Sequence, residues 1–85
     1  MTVDDVAAKL HVLPFRPIRI VTTSGEAYEI FRPFTVVLSG REIIVSLPVP
    51  EGSGVSSRLV WVDVSHISAI ETLVHPPIPA APQAA

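Results

Sequence analysis

Every apolar run in this sequence is cut short by proline, glycine or a charged residue, and that punctuation limits what the chain can build. Nine prolines and four glycines are spread through 85 residues. No stretch therefore approaches the roughly 18 apolar residues of a membrane-spanning helix. What remains is a series of short segments rich in Val, Ile and Thr, separated by turn signals. That pattern predicts a small, mostly β domain.

One segment departs from the pattern. Thr2-Val3-Asp4-Asp5 has the form of a capping box, with Asp where Glu or Gln is commoner. Val3, Val6, Ala7 and Leu10 then recur at the spacing of one helical face. Asp4 and Asp5 suit the positive end of the helix dipole, and Lys9 and His11 suit the negative end. Pro14 forces an exit, because the residue before a proline avoids the α region. The expectation is a helix over about 3–12.

Extended segments follow. Ile18 to Thr22 is dense in β-branched residues and reads as a first strand, with Ser24-Gly25 as a hairpin turn. A second strand is expected from Glu26 to about Phe31, with Tyr28 and Ile30 on one face and Glu29 on the other. Pro33 has no N–H to donate, so a bend or bulge is expected there, with Phe34 to Leu38 resuming the extended pattern. Ser39-Gly40-Arg41 makes the next turn and Glu42 to Leu47 another strand. Residues 48–57 read as a loop. Arg58 to Val64 and Ser68 to Val74 supply the last two strands, around a short turn at Ser65-His66. From His75 onward, four Pro and four Ala among eleven residues predict a mobile, polyproline-biased tail outside the domain. The domain is thus residues 1–74 and the tail 75–85. A helix followed by five or six strands in meander order points to a small antiparallel barrel, since closure removes exposed edges.

So short a chain has difficulty burying enough apolar surface to offset the entropy of ordering it. Disulfides and cysteine-ligated zinc are excluded because there is no Cys. Oligomerisation is the remaining supplement. An apolar content of 48% with a mean hydropathy of +0.50 agrees, being high for a chain of this length. A net charge of −2 argues against a surface built for nucleic acid or anionic lipid. Asp4 and Asp5 stand where an export signal carries basic residues, which fits a cytoplasmic protein.

The order of elements, with the strand from Ala27 to Leu38 bent at Pro33 and a tight turn at Ser65-His66-Ile67, resembles the Sm-like (Hfq-like) family, and SH3-like barrels share much of this geometry. The resemblance covers about residues 3–74 and implies a ring that binds single-stranded RNA. Hfq-like chains carry Tyr-Lys-His before their final Ile-Ser. Here Asp63-Val64-Ser65-His66 precedes Ile67-Ser68, so those RNA-binding residues do not carry over. The run from Leu10 to Ile20 is similar to the opening of short uncharacterised bacterial proteins, which implies no activity.

Chemistry-bearing residues are few. Asp63, Ser65 and His66 are the residue types of a hydrolase triad, but residues so close in sequence seldom converge on one reacting atom. A turn whose side chains bond local backbone accounts for them. His11, His66 and His75 are too widely spaced to point to a metal site. Five arginines, Arg19 and Arg32 among them, accompany Tyr28, Phe31, Phe34 and Trp61, types that can stack on single-stranded nucleic acid; the plainer alternative is a solvated face over an aromatic core. Pro76-Pro77-Ile78-Pro79 has the form of a proline-rich ligand, or of a plain terminus.

The most telling segments are Leu59-Val60-Trp61-Val62 and Ile43-Ile44-Val45, apolar on both faces where a half-buried strand would alternate. One short helix cannot cover both. Val60, Val62 and Val64 make the better inward set because none carries a charge. That leaves Leu59, Trp61 and Ile44 to face a partner. The expectation is a non-catalytic module without a cofactor or metal that self-associates as a homo-oligomer, or docks into a larger assembly, through that face, with an Sm-like ring holding RNA by Arg19 and Arg32 as the alternative.

Overall fold

The computed structural model describes residues 1–74, and the predicted tail lies outside them. Helix α1 (Val3–Leu10) begins at the capping box read from the sequence. The Thr2 hydroxyl accepts from the Asp5 N–H at 3.2 Å, and the Asp5 carboxylate accepts from the Thr2 N–H at 2.9 Å. Those bonds satisfy donors that a helix start otherwise leaves open. They also hold the Asp5 carboxyl below the usual carboxylate range.

Six strands follow: β1 (Ile18–Thr22), β2 (Ala27–Ile30), β3 (Val36–Ser39), β4 (Glu42–Leu47), β5 (Arg58–Asp63) and β6 (Ile67–Thr72). They form two antiparallel sheets of three strands, ordered β2-β1-β6 and β3-β4-β5. The chain passes between the sheets through two 3-10 turns, Pro33–Thr35 and Val64–His66. Gly25 and Gly40 close the β1–β2 and β3–β4 hairpins with φ of +94° and +62°, a region costly for residues with a Cβ.

Pro33 interrupts the strand path as expected, but more fully than a bulge. Residues 33–35 form a 3-10 turn whose Pro33 carbonyl accepts from the Val36 N–H. Phe34 therefore lies in the turn, and extended structure resumes at Val36 rather than Phe34. The physical reason is that proline's fixed φ suits the first residue of a helical turn as well as it suits an edge strand. The last strand also starts and stops earlier than its sequence signals imply, at Ile67 and Thr72.

One core joins the two sheets and the helix. Ile18, Ile20, Tyr28 and Ile30 come from the first sheet, Val36, Ile43, Val45 and Val62 from the second, and Val6 and Leu10 from α1. Val64 and Ile67 line the second crossing between the sheets. The core is aliphatic with a single buried aromatic, Tyr28, so the expected aromatic core is not what fills it. Phe31, Phe34 and Trp61 are exposed. The first two flank Pro33 at the corner, where the change of direction turns their side chains away from the interior. Because α1 puts Val6 and Leu10 into this shared core, it leaves the outer face of the second sheet uncovered.

Candidate functional site

The outer face of the β3-β4-β5 sheet is built by strand alternation. In β5, Val60 and Val62 turn inward, and Leu59 and Trp61 turn outward with 56% and 60% of their surface exposed. The facing inferred from charge is the one observed, since an inward Asp63 would have been stripped of water. Register then assembles the face. Ile44 lies opposite Trp61 on one side and Val37 on the other, giving an apolar row across all three strands. Val37 is 55% exposed, while Ile44, in the middle strand, is half-buried between its neighbours. Leu59, opposite Ser46, extends the row along β5.

Leu59, Trp61 and Ile44, named from sequence, thus come together on one surface. Val37 completes it and was missed. Its alternation with Val36 and Leu38 was readable, but only the pairing of β3 with β4 shows that it meets Ile44. One end of the row is polar: Ser39, Glu42 and Asp63 occupy the next row. The Asp63 carboxylate accepts from the Ser65 N–H at 2.8 Å, which is the main cause holding its pKa below the usual range. That bond engages the Asp and Ser of the triad-like cluster in a local backbone cap. The third member, His66, accepts from the Thr23 N–H through its backbone carbonyl.

The arginines named for nucleic acid fall elsewhere and apart from one another. Arg19 sits mid-sheet on the outer face of β2-β1-β6, opposite Glu29 and Glu71. Its guanidinium donates to Glu29 at 2.8 Å and Glu71 at 3.0 Å. Hydrogen bonds to Glu29 first and Glu71 second push its pKa further up. Arg32 is at the corner before Pro33, exposed between Phe31 and Phe34.

An open apolar groove of about 600 Å³ runs between the end of α1 and the corner, with Leu10, His11 and Leu13 on one side and Pro33, Phe34, Val36 and Leu38 on the other. Among the described residues, no group of three or more His, Asp or Glu is placed to hold a metal ion, and no helix is long and apolar enough to cross a membrane. In comparisons with known proteins, no family model matches the chain, and no match is found among curated proteins or solved structures.

Proposed function

We propose that this chain is a non-catalytic small-barrel interaction module that self-associates through the outer face of its β3-β4-β5 sheet. The observation that carries the reading is the Val37–Ile44–Trp61 row with Leu59 beside it, four apolar side chains gathered on a face that nothing among the described residues covers. Contiguous exposed apolar surface marks interaction sites. Tryptophan is also enriched among the few residues that dominate such contacts. The barrel description is supported in an open form only: two three-stranded sheets share one core and are linked by two 3-10 corners, and among the described residues no strand pairing closes one sheet onto the other.

Binding of single-stranded RNA by an Sm-like assembly ranks second. Its support is the exposed Phe31-Arg32-Pro33-Phe34 corner, an arginine between two aromatic rings of the kind that stack on bases. Against it stand the net charge of −2 and the two carboxylates that already engage Arg19.

The test is the solution mass of the purified protein, measured with and without nuclease treatment of the lysate, together with its absorbance ratio at 260 and 280 nm. The reading expects a mass above that of one chain that nuclease leaves unchanged, with no excess absorbance at 260 nm. A mass that falls to one chain after nuclease, with nucleic acid co-purifying before it, would put the RNA reading first.

A further inference from the structure

Among the described residues, four strands lie at sheet edges: β2 and β6 in one sheet, β3 and β5 in the other. An edge exposes unpaired N–H and C=O groups, and proteins blunt such edges with short strands, charge, proline or a covering element. Strand β2 is four residues long, carries Glu29 and ends just before Arg32-Pro33. Strand β3 is also four residues long, follows directly on the Pro33 turn and borders the groove whose other wall is the end of α1. Strand β6 carries the exposed Glu71. Strand β5 is six residues long, holds neither Pro nor Lys, and pairs with β4 without a register shift. Its charges, Arg58 and Asp63, occupy only its two ends. Strand β6 is as long, but its pairing with β1 shifts register near Thr22, so of the four edges β5 alone combines six residues, a regular ladder and charge confined to its ends.

Hydrogen-bond phase shows which of its groups are open. The Val64 N–H donates to the Arg41 carbonyl at 2.8 Å, just beyond the opposed pair Glu42 and Asp63. Exchange alternates along an antiparallel ladder. Val62 and Val60 therefore bond Ile43 and Val45, while Leu59, Trp61 and Asp63 aim their backbone groups away from β4. The residues with open backbone are those whose side chains build the outer face.

We propose that β5 pairs antiparallel with β5 of a second copy about a two-fold axis at Trp61, joining the two outer faces into one sheet of twice the width. The proposal rests on the self-association reading above and places the contact at the β5 edge of that face, through Leu59 and Trp61; Val37 and Ile44 stay uncovered in the wider apolar surface it creates. Opposed residues must share a face, and open groups must meet open groups. An axis at Trp61 satisfies both requirements: it sets Trp61 against Trp61 and Leu59 against Asp63 in each direction, for about six interchain hydrogen bonds from three opposed pairs. Moving the axis to Val60 would oppose Asp63 to Ser57, outside the strand. Charge selects the same orientation. Antiparallel pairing brings the Arg58 end of one strand beside the Asp63 end of the other, whereas parallel pairing would align like charges. A strand of six residues is roughly 20 Å long on a sheet about 10 Å thick, so pairing buries on the order of 400 Å² in total. Stable interfaces bury about 1,200 Å² or more. The contact therefore belongs to the transient class, and the paired fraction must change with concentration.

The absence of Cys makes the geometry directly testable. Opposed residues of a hydrogen-bonded pair have Cα atoms about 5.5 Å apart, within disulfide range. Leu59→Cys and Asp63→Cys, mixed and mildly oxidised, should cross-link to each other in roughly tenfold excess over either variant with itself. Val37→Cys, similarly exposed on β3, should cross-link at no more than the collision background. If Asp63→Cys fails to fold through loss of its Ser65 contact, Trp61→Cys serves instead and should cross-link with itself. Equal cross-linking in all combinations, or preferential linkage of Leu59→Cys to Val37→Cys, overturns the two-fold β5 pairing. A mass that falls on dilution without selective cross-linking also overturns it while leaving self-association standing. A single-chain mass at every concentration overturns both, leaving the edge to a different protein.

Discussion

The two sheets bury similar inner faces and present opposite outer ones. On β2-β1-β6 the outer positions hold Arg19 between Glu29 and Glu71, with Val21, Ala27 and Ala69 alongside. Charge there is paired within the face, and the apolar side chains beside it are two alanines and a half-buried valine. On β3-β4-β5 the equivalent positions hold Val37, Ile44, Leu59 and Trp61, with acids only at one end. The first sheet alternates as a half-solvated strand system should, and the second is apolar on both sides. Inner faces account for why the chain folds. The difference between outer faces shows where it has surface left to bury.

The largest effect should come from turning the two sides of β5 against each other. Val62 is only 7% exposed, so Val62→Asp buries an unpaired carboxylate and should cost roughly 4 kcal/mol or more. Circular dichroism should show an unfolded chain, and a cooperative melt near that of the wild type would mean the facing is inverted. One position away, Trp61→Asp should leave the domain folded while weakening association by about 2 kcal/mol, roughly thirtyfold in the association constant. Sedimentation across a dilution series reads that change.

A smaller effect is expected on the other sheet. Arg19→Met removes two exposed ion pairs, which contribute little because water and salt screen them. Its melting temperature should move by only a few degrees, less in high salt, with the mass unchanged. A change in assembly here would erase the distinction between the faces.

The smallest effect is an acid limb. Asp5 and Asp63 have carboxyl pKa values depressed by hydrogen bonds in the folded state, through Thr2 and Ser65 respectively. A depressed folded value stabilises fully above the unfolded value of about 3.9, and that contribution is lost as pH falls through the folded value. The melting temperature should thus hold between neutral pH and about 5 and decline below about 4. Asp63→Asn should shallow that decline; an identical acid limb in this variant would remove Asp63 from the account.

Local chemistry made much of this legible in the sequence. The Thr2–Asp5 cap, the turns at Gly25 and Gly40, the interruption at Pro33 and the facing of β5 each depend on a few adjacent residues and on strand alternation. Long-range partnership was not legible. Nothing near Arg19 indicates that Glu71, 52 residues away, neutralises it, because that pairing exists only once β6 docks on β1. Val37 joined the candidate face for the same reason. Residue type misled at Phe31 and Phe34, since aromatic rings beside a corner proline follow the backbone out of the core. The polyproline-like stretch at 76–79 falls outside the described residues.

The central claim is that one outer face carries association and the other does not. It is tested most directly by sedimentation of three proteins over the same concentration range: wild type, Trp61→Asp and Ala27→Asp. Each variant adds one carboxylate to an exposed outer position, on opposite sheets. The wild type and Ala27→Asp should share one concentration-dependent mass, and Trp61→Asp should sediment as a folded single chain well beyond the concentration at which they associate. Equal loss of association in both variants, or in Ala27→Asp alone, would contradict the account.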